Sequence, residues 1–154
     1  MKTLQYTLLT AVTLLVLSSC DFYPVMVSVR VTDTDGHDRL DPDSEYFIGE
    51  NITAVYDGQT YPLQVMFARE GADTKAYYAQ LFGLQWRKDR ERGYYLCFGE
   101  FDGSESQDLT VTFVWPDGTS DTVHTTHTCF TPLAIVNTWH LNGKKVSPPI
   151  TLVK

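Results

Sequence analysis

The sequence predicts an all-β protein: a single antiparallel β-sandwich of immunoglobulin-like architecture over residues 20–154, preceded by an apolar leader over 1–19. Three observations predict it. Apolar residues after position 20 recur with a period of two, the pattern of half-buried strands. Turn-forming residues punctuate these runs at short intervals. No internal repeat, long linker or low-complexity segment divides the region, and 135 residues suit one domain burying about two-thirds of its unfolded surface.

The leader comes first. Lys2 gives it a positive start, residues 4–17 are largely apolar, and Ser18 and Ser19 precede Cys20. Such a core suits a signal peptide and is shorter than the roughly 20 apolar residues a spanning helix needs. Small residues followed by cysteine form a lipidation box, so Cys20 is the expected lipid acceptor of a bacterial lipoprotein. An ordinary secretory signal and an uncleaved helical anchor are the alternatives. Lipid on Cys20 would partition into a bilayer at about 0.8 kcal/mol per buried CH2. The expected location is the cell envelope, on the periplasmic or the outer-membrane face.

Val25, Val27, Val29 and Val31 then alternate with Met26, Ser28, Arg30 and Thr32, giving a half-buried strand. Asp33 to Ser44 is a polar loop. Ile52, Ala54 and Tyr56 lead into Asp57-Gly58, followed by Tyr61, Leu63, Val65 and Phe67, a hairpin with a two-residue turn. Residues 74–101 admit two readings. Thr74–Phe82 could be a short helix capped by Asp73, or Tyr77–Trp86 and Tyr94–Phe101 form a hairpin with the charged run 87–93 as its tip; the hairpin is favoured. Leu109, Val111, Phe113 and Trp115 share a strand face before Pro116-Asp117-Gly118, a type I turn with a bulge that pairs Trp115 with Thr119 and Val111 with Val123. Asn142-Gly143 marks a last hairpin. These runs amount to eight or nine strands, and a closed barrel is the alternative to the sandwich.

Charge and cysteine usage narrow the function. The chain has 12 Lys+Arg against 19 Asp+Glu; without Lys2, the one charged residue of 1–19, the mature balance is −8. An acidic surface disfavours nucleic acid and anionic headgroups, so attachment through lipid at Cys20 rather than through a basic patch is expected. Cys97 and Cys129 are an even pair in an oxidising compartment and a candidate disulfide; two separate buried thiols are the alternative.

Three stretches, 31–42 (VTDTDGHDRLDP), 98–103 (FGEFDG) and 115–121 (WPDGTSD), together with the lipidation box, resemble small Bacteroidota-type lipoproteins with a β-sandwich domain. The resemblance implies a location and a β fold, and no chemistry. Many surface-exported lipoproteins of such bacteria carry an acidic cluster after the lipid cysteine; here Asp21 is followed by Phe22-Tyr23-Pro24, which departs from that pattern.

Candidate sites are few. Asp33, Asp35, Asp38 and Asp41 cluster near Gly36 and could supply oxygen ligands to calcium. They do not form an EF-hand, because its first and twelfth positions would be Val31 and Pro42. A solvated turn is the plain alternative. His124 and His127 lie three apart, on opposite strand faces, and no zinc-type spacing occurs. No nucleophile elbow or phosphate loop is present, so no catalytic residue is assigned and the chain reads as a non-catalytic binding or structural module. Adjacent Tyr94 and Tyr95 should send one ring inward and one outward. The outward ring could meet a glycan or protein partner, which makes a carbohydrate-binding or adhesin-like module, with or without calcium, the alternative function.

Overall fold

The computed structural model describes residues 23–64, 83–91, 93–131 and 134–154. These residues are all-β. Ten strands run β1 Val25–Thr32, β2 Thr53–Tyr56, β3 Gln59–Gln64, β4 Leu84–Asp89, β5 Gly93–Phe101, β6 Gln107–Val114, β7 Ser120–Thr131, β8 Ala134–Leu141, β9 Lys144–Val146 and β10 Ile150–Val153. No helix among them is long and apolar enough to cross a membrane. Cys20, Val65, Phe67 and the 74–82 segment lie outside the described residues.

The strands form one mixed sheet in the order β10-β1-β5-β4-β3-β2-β6-β7-β8-β9. The purely antiparallel arrangement expected from the sequence is corrected at two pairings. β10 runs parallel to β1, with Val29 opposite Ile150, and β3 runs parallel to β4, with Leu63 opposite Leu84. Parallel neighbours need a crossover of a dozen or more residues. The 19 residues between Gln64 and Leu84 supply that length. β4 and β5 do form a hairpin, with a tip narrower than the charged run, since pairing continues to Asp89 opposite Gly93.

The local turns fall where their residues demand. Asp57 (φ 48°) and Gly58 (φ 72°) turn β2 into β3, and Asn142 (φ 49°) and Gly143 (φ 77°) turn β8 into β9. Both central residues of this turn need positive φ, which is why Asp-Gly and Asn-Gly serve. After Trp115, its N–H donates to Thr119 O at 2.9 Å and Gly118 N–H donates to Trp115 O at 2.9 Å. Val111 pairs with Val123 as the sequence predicts.

One core unites the sheet. Val27, Val29 and Val31 of β1, Leu96 and Phe98 of β5, and Leu84 and Trp86 of β4 share a buried cluster with Ala54 of β2, Val111 and Phe113 of β6 and Val123 of β7. Leu40 enters it from the polar loop with 1% exposure. Rings bridge the two halves: Tyr56 lies 5.7 Å from Phe98 and 5.2 Å from Phe101. Each fully buried aliphatic or aromatic side chain here contributes about 1.5–3 kcal/mol. The two outermost strands, β9 and β10, are separated by Ser147-Pro148-Pro149 alone. That connection spans at most about 14 Å, so the sheet curls until its edges approach.

Candidate ligand cleft

The face of β1 turned away from the core carries Met26, Ser28 and Arg30, because alternate side chains leave a strand on opposite sides. Ser28 is the partner of Cys97 on β5, and the same register carried two residues further sets Arg30 beside Tyr95. These residues, with Asp89 at the end of β4, Trp139 of β8, Pro148, Pro149 and Ile150, line a half-open cleft of about 490 Å³. Clefts of roughly 300–1,000 Å³ with aromatic walls and a few polar groups suit small organic ligands.

Arg30 sets the chemistry of the cleft. Its Nε is buried and has no hydrogen-bond partner. None of the ion pairs among the described residues uses its guanidinium. An arginine offers five N–H donors and no acceptor, and a buried donor left unmade costs about 1–3 kcal/mol. One donor in the cleft wall is therefore unmatched. Asp89 supplies carboxylate oxygens, one of which accepts the Glu91 N–H at 2.8 Å. Ser28 Oγ contacts Cys97 Sγ at 3.7 Å, and the thiol in turn points at Met26 Sδ, also at 3.7 Å. Burial pushes the Cys97 thiol up, against the smaller lowering effect of the Ser28 hydroxyl. A thiol held protonated is a packing group and a poor nucleophile.

The adjacent tyrosines divide as expected. Tyr95 lines the cleft. Tyr94 turns to the other face of β5: its ring lies 5.2 Å from Trp86 and 4.7 Å beneath Lys88 Nζ, and its N–H donates to Asp38 Oδ2 at 2.9 Å.

The acidic loop does not gather the four aspartates. The ligand atoms brought within 4.8 Å of one another belong to Asp33, Asp35 and His37. Asp38 instead accepts the Leu40 and Tyr94 N–H groups, and Asp41 accepts the Asp43 N–H. Asp33 is committed as well, accepting the Asp35 and His37 N–H groups at 2.9 and 2.8 Å and meeting His37 Nδ1 at 2.7 Å. Burial acts to raise its pKa, but these hydrogen bonds outweigh it and hold the carboxyl below its ordinary value. Short aspartate side chains are satisfying turn amides here.

Cys97 and Cys129 are not bonded to each other, so the candidate disulfide is corrected. Cys97 is buried between β1 and β4, whereas Cys129 sits opposite Ile135 near the end of the β7–β8 pair. His124 and His127 separate to opposite faces, His124 meeting Asp108 at 2.6 Å while the buried His127 ring lies 2.6 Å from Asn137 Oδ1 and 2.9 Å from Gly103 O.

No protein-family model matches the chain, and neither does any curated protein or solved structure. Arg30, Asp89 and Trp139 were missed as site residues. The available signal was a single arginine in a valine-rich strand, which marks the solvent side of the strand without saying what shares it.

Proposed function

We propose that the chain is a non-catalytic binding module of the bacterial cell envelope, tethered by lipid at Cys20, whose ligand seat is the cleft at Arg30, Tyr95 and Trp139. The observation that carries this reading is the buried Nε of Arg30, left without a hydrogen-bond partner in the wall of an aromatic-lined cleft. The clustering of buried residues from both halves of the sheet supports a two-layer sandwich. We read the layering as immunoglobulin-like, although β1 between β10 and β5 is not the immunoglobulin strand order.

The lining groups define a ligand class. Arg30 calls for an anionic acceptor. Asp89 adds a negative charge that disfavours a purely anionic molecule. Tyr95 and Trp139 offer flat rings with a polar tip. A ring bearing one carboxylate and several hydroxyls, such as a uronic acid, satisfies all of these at once.

Calorimetric titration of the purified protein with glucuronate and with glucose tests the proposal. Glucuronate binding that Arg30→Gln weakens at least about tenfold, roughly 1.4 kcal/mol, supports it. Glucuronate binding no tighter than glucose binding, or equal binding by Arg30→Gln, overturns it. Intact-mass analysis of the native product tests the tether, which requires loss of residues 1–19 and added acyl mass.

A further inference from the structure

We propose that the ends of β7 and β8 that carry Phe130, Ile135 and Val136, here the tip, rest together with Tyr23 on a zwitterionic bilayer surface, forming a second, non-covalent contact beside the lipid on Cys20; this rests on the tether reading above. The strand registers put these features at one pole. Val25, where β1 begins, lies opposite Phe101, where β5 ends. A short loop then leads to Gln107, which lies opposite His127. Beyond His127, Thr128 pairs with Val136 and Cys129 with Ile135, past the start of β6. Ser106 Oγ accepts the Cys129 N–H at 3.0 Å and ties this extension to the same pole. The other pole is set by Lys154, whose N–H donates to Thr32 O and whose Nζ donates to Thr119 Oγ1.

Exposed apolar side chains collect at the first pole. Six large hydrophobic residues are exposed among the described ones, and four are here: Tyr23 at 87%, Phe130 at 72%, Val136 at 54% and Ile135 at 39%. A two-stranded extension is marginal in water without a covering surface, and clustered exposed apolar groups mark interaction sites. The length of chain before Tyr23 argues for the occupant. Cys20 precedes Tyr23 by three residues, a reach of at most about 11 Å, so lipid on Cys20 would bring a bilayer to this pole. Charge selects the lipid. The described residues 102–108, 128–131 and 134–137 contain Asp102, Glu105 and Asp108 and no Lys or Arg, so anionic headgroups are disfavoured and neutral, zwitterionic ones are not.

The test uses the full-length lipidated product in phosphatidylcholine vesicles containing brominated acyl chains. Phe130→Trp places an indole at the tip, and Val153→Trp places one at an exposed position paired with Thr32, at the other pole. Bromine is expected to quench the added Phe130→Trp emission about twofold more than that of Val153→Trp. Equal quenching, or stronger quenching of Val153→Trp, overturns the contact. Intact mass of the same samples separates the two readings. An acylated protein with an unquenched tip removes the contact and keeps the tether, and an unacylated protein whose tip is quenched by added vesicles keeps the contact and removes the tether.

Discussion

The Lys154 ammonium sits 2.9 Å from the Asp121 carboxylate and joins the β10 side of the sheet to β7. Trp115 Nε1 donates to the same oxygen at 2.7 Å, and Asn142 Nδ2 donates to the other at 2.7 Å. Arg39 Nη1 donates to the Lys154 carbonyl at 2.9 Å, bringing in the polar loop.

This carboxylate gives stability a defined pH dependence. Burial acts to raise the Asp121 pKa, but hydrogen bonds from Asn142, Lys154 and Trp115 outweigh it and hold it below the ordinary 3.8. With a folded pKa below the unfolded one, the contribution is complete above pH 3.8 and is lost as pH falls through the folded value. Asp121→Asn should cost about 1–3 kcal/mol at pH 7 and flatten the fall of melting temperature below pH 4. Melting curves across pH 2–7 check this; parallel curves for the two proteins would contradict it.

Gly99 is not replaceable. Its φ is +86°, and a Cβ there would lie 2.3 Å from Cε2 of Phe101. The Phe101 ring is 6% exposed and packs on Tyr56, so it has no room to yield. Gly99→Ala should destabilise by roughly 2–5 kcal/mol, combining strain and overpacking. Urea unfolding with an unchanged m-value and a lower midpoint is the expected outcome, and an unchanged midpoint would show that β5 adjusts.

Tyr94 and Tyr95 should separate stability from binding. Tyr94→Ala removes a ring packed on Trp86 and should lower stability by about 2 kcal/mol. Tyr95→Ala should leave the melting point within a few degrees and weaken glucuronate binding about tenfold. Paired melting and titration measurements check the division, and the reverse pattern would place the ligand on the other face of β5.

Calcium should do little. Asp33 is occupied by turn amides and His37, and Asp38 and Asp41 point to other backbone partners. Millimolar calcium is expected to leave the melting temperature unchanged, and a rise of several degrees would report a folded-state site by mass action.

The parts legible in the sequence were those decided locally. Alternating valines placed β1, Asp57-Gly58, Pro116-Asp117-Gly118 and Asn142-Gly143 placed three turns, and the second also gave the Val111–Val123 register, because turn geometry sets the adjoining pairs. The parallel pairings of β10 with β1 and β3 with β4 were not legible, since no local period records which distant strand a run will join. The acidic loop looked chemical because aspartate serves equally as cation ligand and as turn cap; its hydrogen bonds assign it to the second role. Arg30 escaped notice for the opposite reason. What marks it is a buried Nε without a hydrogen-bond partner, a property of its surroundings in space.

The cleft is tested most directly by ¹H–¹⁵N spectra of the labelled protein titrated with glucuronate. Shifts should concentrate at Ser28, Arg30, Tyr95 and the Trp139 indole, and they should vanish in Arg30→Gln. Shifts confined to the Asp33–His37 loop, or none at saturating ligand, would contradict a ligand seat at Arg30.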